Sequence, residues 1–249
     1  MSNLPSFTNP PVQRVSAAAL IDGANPAVRS LIDYYREHLS ETYERVHEHQ
    51  PSVRPLERPW DGGESERALA SMFSENASLQ LHGFTPDREW SVRVQSDWIS
   101  VTWSRREDPY PRWAAVRSKL DQVVASFLQE LGGAVIEVHV EYLNRVHPKS
   151  LSEVVNPAFA GAALGDVESL RIHTTHLFEV AGERARLHLN IQPERRGQDM
   201  LLSLRAVARP SVPDASHALE TATSAREKIV TGFAQIVTED FKEEWGEQR

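Results

Sequence analysis

The sequence predicts an α+β fold, in which a mostly antiparallel sheet of about eight strands has long helices packed on one face. Short segments alternate between apolar and polar residues, long segments carry apolar residues at helical spacing, and both recur in a similar order in the two halves of the chain. We expect a saddle or helix-grip shape and one continuous domain, with a βαβββα half over residues 1–132 and a β-loop-βββα half over residues 133–249.

The composition is that of an ordinary globular protein. Of the 249 residues, 40% are hydrophobic and 25% are charged, and the formal net charge is −8. An acidic protein repels phosphates, which argues against nucleic-acid binding by the whole surface. The absence of cysteine excludes disulfides, thiolate catalysis and cysteine-ligated metal sites. Neither a signal peptide nor a run of roughly 20 apolar residues is visible, so we expect a cytoplasmic protein without a membrane span.

Helices are predicted over three segments, at residues 26–48, from Asp108 to Gly132, and at residues 215–245. Asn25 and Pro26 are typical of the cap and the first residue of a helix. Asp108 or Tyr110 is expected to cap the second helix, which a glycine then ends. Thr238 has the character of a new cap, so the third helix is expected to break there.

Strands are predicted at residues 77–84, 90–95, 98–105, 135–146, 170–180, 184–192 and 200–209, with a looser alternation over residues 12–21. Residues 51–66 contain three prolines and two glycines, which predicts a loop. A second loop, with one short helix, is expected after residue 146.

Four of the six tryptophans lie within residues 90–113 and are interpreted mainly as core. A two-residue turn at residues 96–97 would place Trp90 opposite Trp103 on the buried side of a hairpin. Trp113 is expected to be the first core residue of the following helix. Trp98 alone falls on the polar side of the hairpin.

Alternation in the later strands predicts a polar sheet face on the side away from the helices. In the strand at 135–146, the residues expected to face the core are Ile136, Val138, Val140 and Tyr142. The residues expected on the opposite, solvent-exposed face are Glu137, His139, Glu141, His173, Arg186, His188, Asn190 and Arg205. This polar face is the candidate functional surface.

Several interpretations of the polar face stay open. Its composition is that of any sheet with one face in solvent. The same face would also suit a protein–protein or homodimer surface, or a binding site for a polar ligand. A catalytic or metal site is a further interpretation, and it would use His139, His188, Glu137 and Glu141. The stretch over residues 171–209 has seven arginines against four acidic residues, which leaves room for local nucleic-acid binding.

Metal and cofactor motifs are absent from the sequence. His173 and His176 are three residues apart, which puts them on opposite faces of a strand. His47 and His49 lack the four-residue spacing of a helical zinc site. There is no phosphate-binding loop, dinucleotide fingerprint or G-x-S-x-G motif. We therefore predict neither a metal nor a cofactor.

Short motifs along nearly the whole chain carry a family resemblance. They are Asn9-Pro10-Pro11-Val12, Trp103 followed by Tyr110-Pro111-Arg112-Trp113, Tyr142-Leu143-Asn144-Arg145-Val146, and an ending with Ala225-Arg226, Ile229-Val230, Phe233, Thr238 and Trp245-Gly246. The chain resembles a sporadically distributed, uncharacterised bacterial protein family. It departs from that pattern at Thr102, at Ser104 and at Gln13-Arg14. The resemblance implies no catalytic residue, and the patchy occurrence of such families resembles that of genes on mobile or defence islands.

The leading hypothesis is a non-enzymatic bacterial interaction protein that acts through the polar face, as part of a defence or regulatory system. The alternative is an enzyme or small-ligand binder that uses His139, Glu137, Glu141 and His188. A second alternative is a nucleic-acid binder that uses the local arginine strip. We expect a homodimer, because a second copy often covers an open sheet edge and a broad polar face.

Overall fold

The computed structural model describes residues 6–7, 10–24, 26–49, 79–146, 172–180, 182–193 and 199–248. Within these residues the helices are α1 (Val28–His38), α2 (Arg112–Leu131), α3 (Ala215–Ile236) and α4 (Glu239–Glu244). The strands are β1 (Ser6–Phe7), β2 (Val12–Asp22), β3 (Glu44–His49), β4 (Gln80–Phe84), β5 (Trp90–Val94), β6 (Trp98–Ser104), β7 (Ala134–Val146), β8 (Ile172–Val180), β9 (Glu183–Pro193), β10 (Met200–Ala208) and β11 (Glu247–Gln248). The predicted loop at residues 51–66 and the predicted short helix after residue 146 lie outside the described residues.

Nine strands form one antiparallel sheet in the order β3-β4-β5-β6-β2-β7-β10-β9-β8. The α+β class and the mostly antiparallel sheet are therefore confirmed. The first and second halves of the chain meet where β2 pairs with β7. On one side of this pair the order runs outward as β6, β5, β4, and on the other side as β10, β9, β8. This mirrored order corresponds to the pseudo-repeat expected from the sequence, whereas the domain boundary at residue 132 stays a prediction.

The two long helices cover one face of the sheet. Helix α2 packs on β2 and β6, α3 packs on β7 and β10, and the two helices contact each other. Helix α1 is held against α2 by the hydroxyl of Tyr34, which donates to the carbonyl oxygen of Val123 at 2.9 Å. Alternate residues of the central strands are fully buried beneath these helices, including Val15, Val140 and Leu204. Within the described part of the chain, no helix is long and apolar enough to cross a membrane.

The tryptophan hairpin forms in the predicted register. Trp90 pairs with Trp103 across β5 and β6, and the turn is closed by a hydrogen bond from the Gln95 N–H to the Trp98 carbonyl at 2.8 Å. Trp103 is fully buried and Trp113 is 9% exposed, so their assignment to the core is confirmed.

The predicted helix over residues 26–48 is wrong in its second half. Helix α1 ends at His38, where the N–H groups of Leu39 and Ser40 both bond to the carbonyl of Tyr35 at 3.0 Å. The chain turns there and continues as β3, which pairs with β4. Leu39 and Tyr43 are buried, and they lie in the turn rather than on a helix.

The expected core position of Ile136 is also wrong. Leu20 pairs with Glu137 and Ile21 pairs with Val135, so Ile136 is an extra residue in β7. A β-bulge of this kind shifts the alternation by one position. Val135 is consequently fully buried, and Ile136 is partly exposed.

The ends of α2 and α3 match the sequence only in part. Pro111 is the N-cap of α2 and provides no side-chain hydrogen bond, so the predicted capping by Asp108 or Tyr110 is wrong. Gly132 ends α2 with a φ of 75°, a left-handed conformation that favours glycine. The predicted break at Thr238 is confirmed, since this residue is the N-cap of α4.

Candidate functional site: the polar face of the sheet

The eight residues predicted to form the polar face do lie on one face of the sheet, opposite the helices. Their strands are adjacent, and the register runs across them: Arg205 pairs with both Glu141 and His188, while Asn190 pairs with both Ser203 and His173. The same face extends over β2 and β6, where Ser16 and Thr102 share a hydrogen bond of 2.9 Å between their hydroxyl oxygens. The structure therefore brings the predicted residues together.

The centre of the polar face is a chain of three side chains, Glu137, His139 and Arg205. The Nε2 atom of His139 lies 2.5 Å from Oε1 of Glu137, and the Arg205 guanidinium bonds to Nδ1 of the same ring. A guanidinium can only donate, so Nδ1 must accept and the ring proton must lie on Nε2, where it is donated to Glu137. His139 is thus a neutral ring that links a carboxylate to a guanidinium.

The electrostatics of Glu137 agree with this arrangement. Burial acts to raise the pKa of this carboxyl, but the hydrogen bond from His139 and the positive charges of Arg209 and Arg205 outweigh it, so the pKa is lowered overall. Glu137 therefore remains ionised to a lower pH than a free glutamate.

Two residues of the polar face are buried, against the expectation of a solvent-exposed surface. His139 is 6% exposed and His188 is 8% exposed. For His139 the physical reason is a residue that sequence analysis left without a role: the ring of Trp98 packs edge-on against the imidazole at 4.8 Å between centroids. The sequence showed that the ring of Trp98 falls on the polar face. It did not show that this ring contacts His139, which lies two strands away in the sheet.

Glu141 is held by neighbours on both sides. Ser203 donates to its Oε1 atom at 3.0 Å, and Arg14 forms an ion pair with the same oxygen at 3.5 Å. Arg14 lies on β2, a strand whose contribution to the polar face was not predicted. The carboxylate therefore bridges the two halves of the sheet.

The end of the polar face near β8 contains the histidine pair. Nδ1 of His188 and Oγ1 of Thr175 are 3.0 Å apart, and the rings of His188 and His173 stack at 6.3 Å between centroids. His173 and His176 lie on opposite faces of β8, as predicted, because they pair with Asn190 and Leu187 respectively.

Beyond His188 the polar face becomes exposed. The side chains of His173, Thr175, Leu177, Glu179, Arg184 and Arg186 are all exposed there. Leu177 pairs with Arg186, and Glu179 pairs with Arg184. Leu177 is 72% exposed, which is more than any other large apolar side chain in the described residues. Its position breaks the polar alternation of β8 and could have been noticed in the sequence.

The arrangement offers little to a metal ion. In the described ranges, no three side chains of histidine, aspartate or glutamate converge in a way that could hold one.

Comparisons with known proteins do not narrow the function. No protein-family model, curated protein or solved structure matches this chain. The resemblance to a bacterial family consequently stays a prediction based on the motifs alone.

Proposed function

We propose that this chain is a non-enzymatic interaction protein that binds a second protein chain, foremost a second copy of itself, at the exposed end of the polar face. The observation that carries the proposal is Leu177, 72% exposed in the middle of β8. Among the described strands β8 pairs only with β9, so it forms one edge of the sheet. An edge strand with an exposed apolar side chain favours pairing with another chain.

The sequence of β8 is suited to pairing with itself. If two copies pair antiparallel with His176 at the centre, His173 lies opposite the partner's Glu179, and Thr175 lies opposite the partner's Leu177. The two-fold axis then repeats each contact, as in an isologous dimer. The His173 ring could then donate a hydrogen bond to the partner's Glu179, and Leu177 could pack against the methyl group of the partner's Thr175.

The centre of the polar face supports a structural role rather than a catalytic one. Both ring nitrogens of His139 are engaged, by Glu137 and by Arg205, so neither is available to a substrate without breaking an internal bond. The carboxylate of Glu141 accepts from Ser203 and pairs with Arg14. These contacts weigh against the alternative of an enzyme.

The charge pattern also weighs against nucleic-acid binding. Arg184 faces the carboxylate of Glu179 across the β8–β9 pair. A phosphate-binding surface needs cations that are not already matched by carboxylates. A self-pairing protein of this kind would fit the defence or regulatory setting that the family resemblance suggests.

Sedimentation equilibrium of the full chain across the micromolar range tests the proposal. The wild-type chain is expected to sediment as a dimer, and Leu177→Glu as a monomer, because a carboxylate would be buried at the new interface. The matched control is Val28→Glu, which alters an apolar side chain that is 55% exposed on α1. It should leave the dimer intact. A monomeric wild-type chain, or a Leu177→Glu variant that still dimerises, would overturn the proposal.

A further inference from the structure

The helix side of the sheet contains a cavity of about 290 Å³ that is separate from the polar face. It lies where α2 begins, between α3 and the adjacent ends of β2 and β7, and its walls include Tyr110, Arg112, Tyr142 and Arg226. Its volume is close to the lower end of the range for small-molecule sites, about 300–1,000 Å³.

The cavity has positive charge without a matching carboxylate. Its described lining contains two arginines, Arg112 at the exposed rim and Arg226 deeper in, and no acidic residue. Neither arginine forms an ion pair with a described carboxylate. The Nε atom of Arg226 is buried and has no hydrogen-bond partner within the part of the chain that the structure describes. A buried donor left in this way is costly unless something else accepts its hydrogen bond.

Two phenols lie beside the arginines. The hydroxyl oxygens of Tyr110 and Tyr142 are 2.7 Å apart. Burial raises the pKa of Tyr110, and the charges of Arg226 and Arg112, which line the same cavity, oppose that increase. When one phenol donates to the other, the second phenol still has its own proton to donate to a ligand.

The remaining wall is apolar. It includes Phe7, Val230 and Phe233, and the rings of Phe7 and Phe233 meet edge-on at 5.9 Å between centroids. The first residues of α2 also line the cavity, and this 20-residue helix has no side-chain cap at its N-terminus. Its first N–H groups have no acceptor within the helix, and they add to the preference for an anion.

We propose that this cavity binds a small carboxylate with an apolar body. The carboxylate would lie against Arg226 and Arg112 with the Tyr110–Tyr142 pair as a further donor, and the apolar body would pack against Phe7, Val230 and Phe233. A carboxylate accepts the bidentate hydrogen bonds that a guanidinium offers, and it supplies the negative charge that the lining lacks. The site is independent of self-pairing at β8.

Calorimetric titration and thermal unfolding with 3-phenylpropionate test this assignment, with the neutral amide 3-phenylpropionamide as the matched ligand. The carboxylate should bind and raise the unfolding temperature, and the amide should bind at least about tenfold more weakly, because it lacks the charge. Arg226→Gln should weaken carboxylate binding by about tenfold or more. Arg117→Gln removes an exposed arginine of α2 outside the cavity lining and should bind like the wild type.

A second variant keeps the test decisive if Arg226→Gln does not fold. Val230→Phe should fill the cavity and abolish binding while the protein remains folded. Equal binding of the carboxylate and the amide, or undiminished carboxylate binding by both Arg226→Gln and Val230→Phe, would overturn the proposal. So would the absence of any thermal shift or heat of binding with 3-phenylpropionate at millimolar concentration.

Discussion

His139 donates from Nε2 to Oε1 of Glu137 across 2.5 Å, from a position two residues later on the same face of β7. The other ring nitrogen accepts from Arg205 on the neighbouring strand. A histidine that sequence analysis placed on an open surface is therefore an internal link between two charged side chains. Substitution of His139 should therefore lower the stability of the fold.

His139→Ala should destabilise the fold by about 2–4 kcal/mol. The change removes a buried ring and leaves the carboxylate of Glu137 and the guanidinium of Arg205 without the group that joins them. The free energy of unfolding in urea measures the effect. Lys228→Ala, at an exposed position of α3 away from the sheet, is the control and should stay within about 0.5 kcal/mol of wild type. Equal stability of the two variants would contradict an internal role for His139.

The decrease in the free energy of unfolding at acidic pH should depend on Glu137. Its pKa is lowered in the folded protein, so the carboxyl binds protons more readily in the unfolded chain. The stability from this group is present above the unfolded value near 4.5 and is lost as the pH falls through the lower, folded pKa. Urea titrations between neutral and acidic pH should show a shallower decline for Glu137→Gln than for wild type. An unchanged slope would refute this assignment.

Gly83 should not tolerate a side chain. A Cβ atom added there would lie 1.7 Å from the hydroxyl oxygen of Tyr35 and 3.0 Å from Cβ of Tyr43. The hydroxyl of Tyr35 donates to the Tyr43 carbonyl at 2.9 Å, so relieving the clash would break a buried hydrogen bond. Gly83→Ala should therefore lower the free energy of unfolding by about 1–3 kcal/mol.

Gly232 provides the matched control for that substitution. It lies inside α3, and a Cβ atom there would meet only Leu187 at 3.2 Å and Leu204 at 3.7 Å, both at the ends of flexible side chains. Alanine has the better helix propensity, so Gly232→Ala should be neutral or slightly stabilising in the same urea experiment. Similar losses at both glycines would show that the close approach of Tyr35 is unimportant.

Much of the sheet could be predicted from the sequence because period-two alternation is a local property. The hairpin register that pairs Trp90 with Trp103 follows from the turn and the apolar pattern together. The bulge at Ile136 could not be predicted, because Val135 and Ile136 are both apolar and only the pairing with β2 decides which one is buried. The strand at Glu44–His49 was missed for a related reason, since its neighbour β4 lies far along the chain.

The residues of the candidate site could be predicted from the sequence, but the burial and the contacts of their side chains could not. Alternation correctly placed His139 and His188 on the face away from the helices. Their burial depends on contacts between distant strands, such as that of Trp98 with His139, which no local pattern records. Leu177 was visible in the sequence as an apolar residue at a polar position of β8, as Trp98 was on β6.

Amide hydrogen exchange of β8, measured on the full chain at two protein concentrations, tests the central claim most directly. If β8 is the edge at which two copies pair, its amide hydrogens should exchange more slowly at the higher concentration, while those of the central strand β7 should not respond. The Leu177→Glu variant should lose this dependence on concentration. Exchange from β8 that is the same at both concentrations in the wild-type chain would contradict self-pairing at this edge.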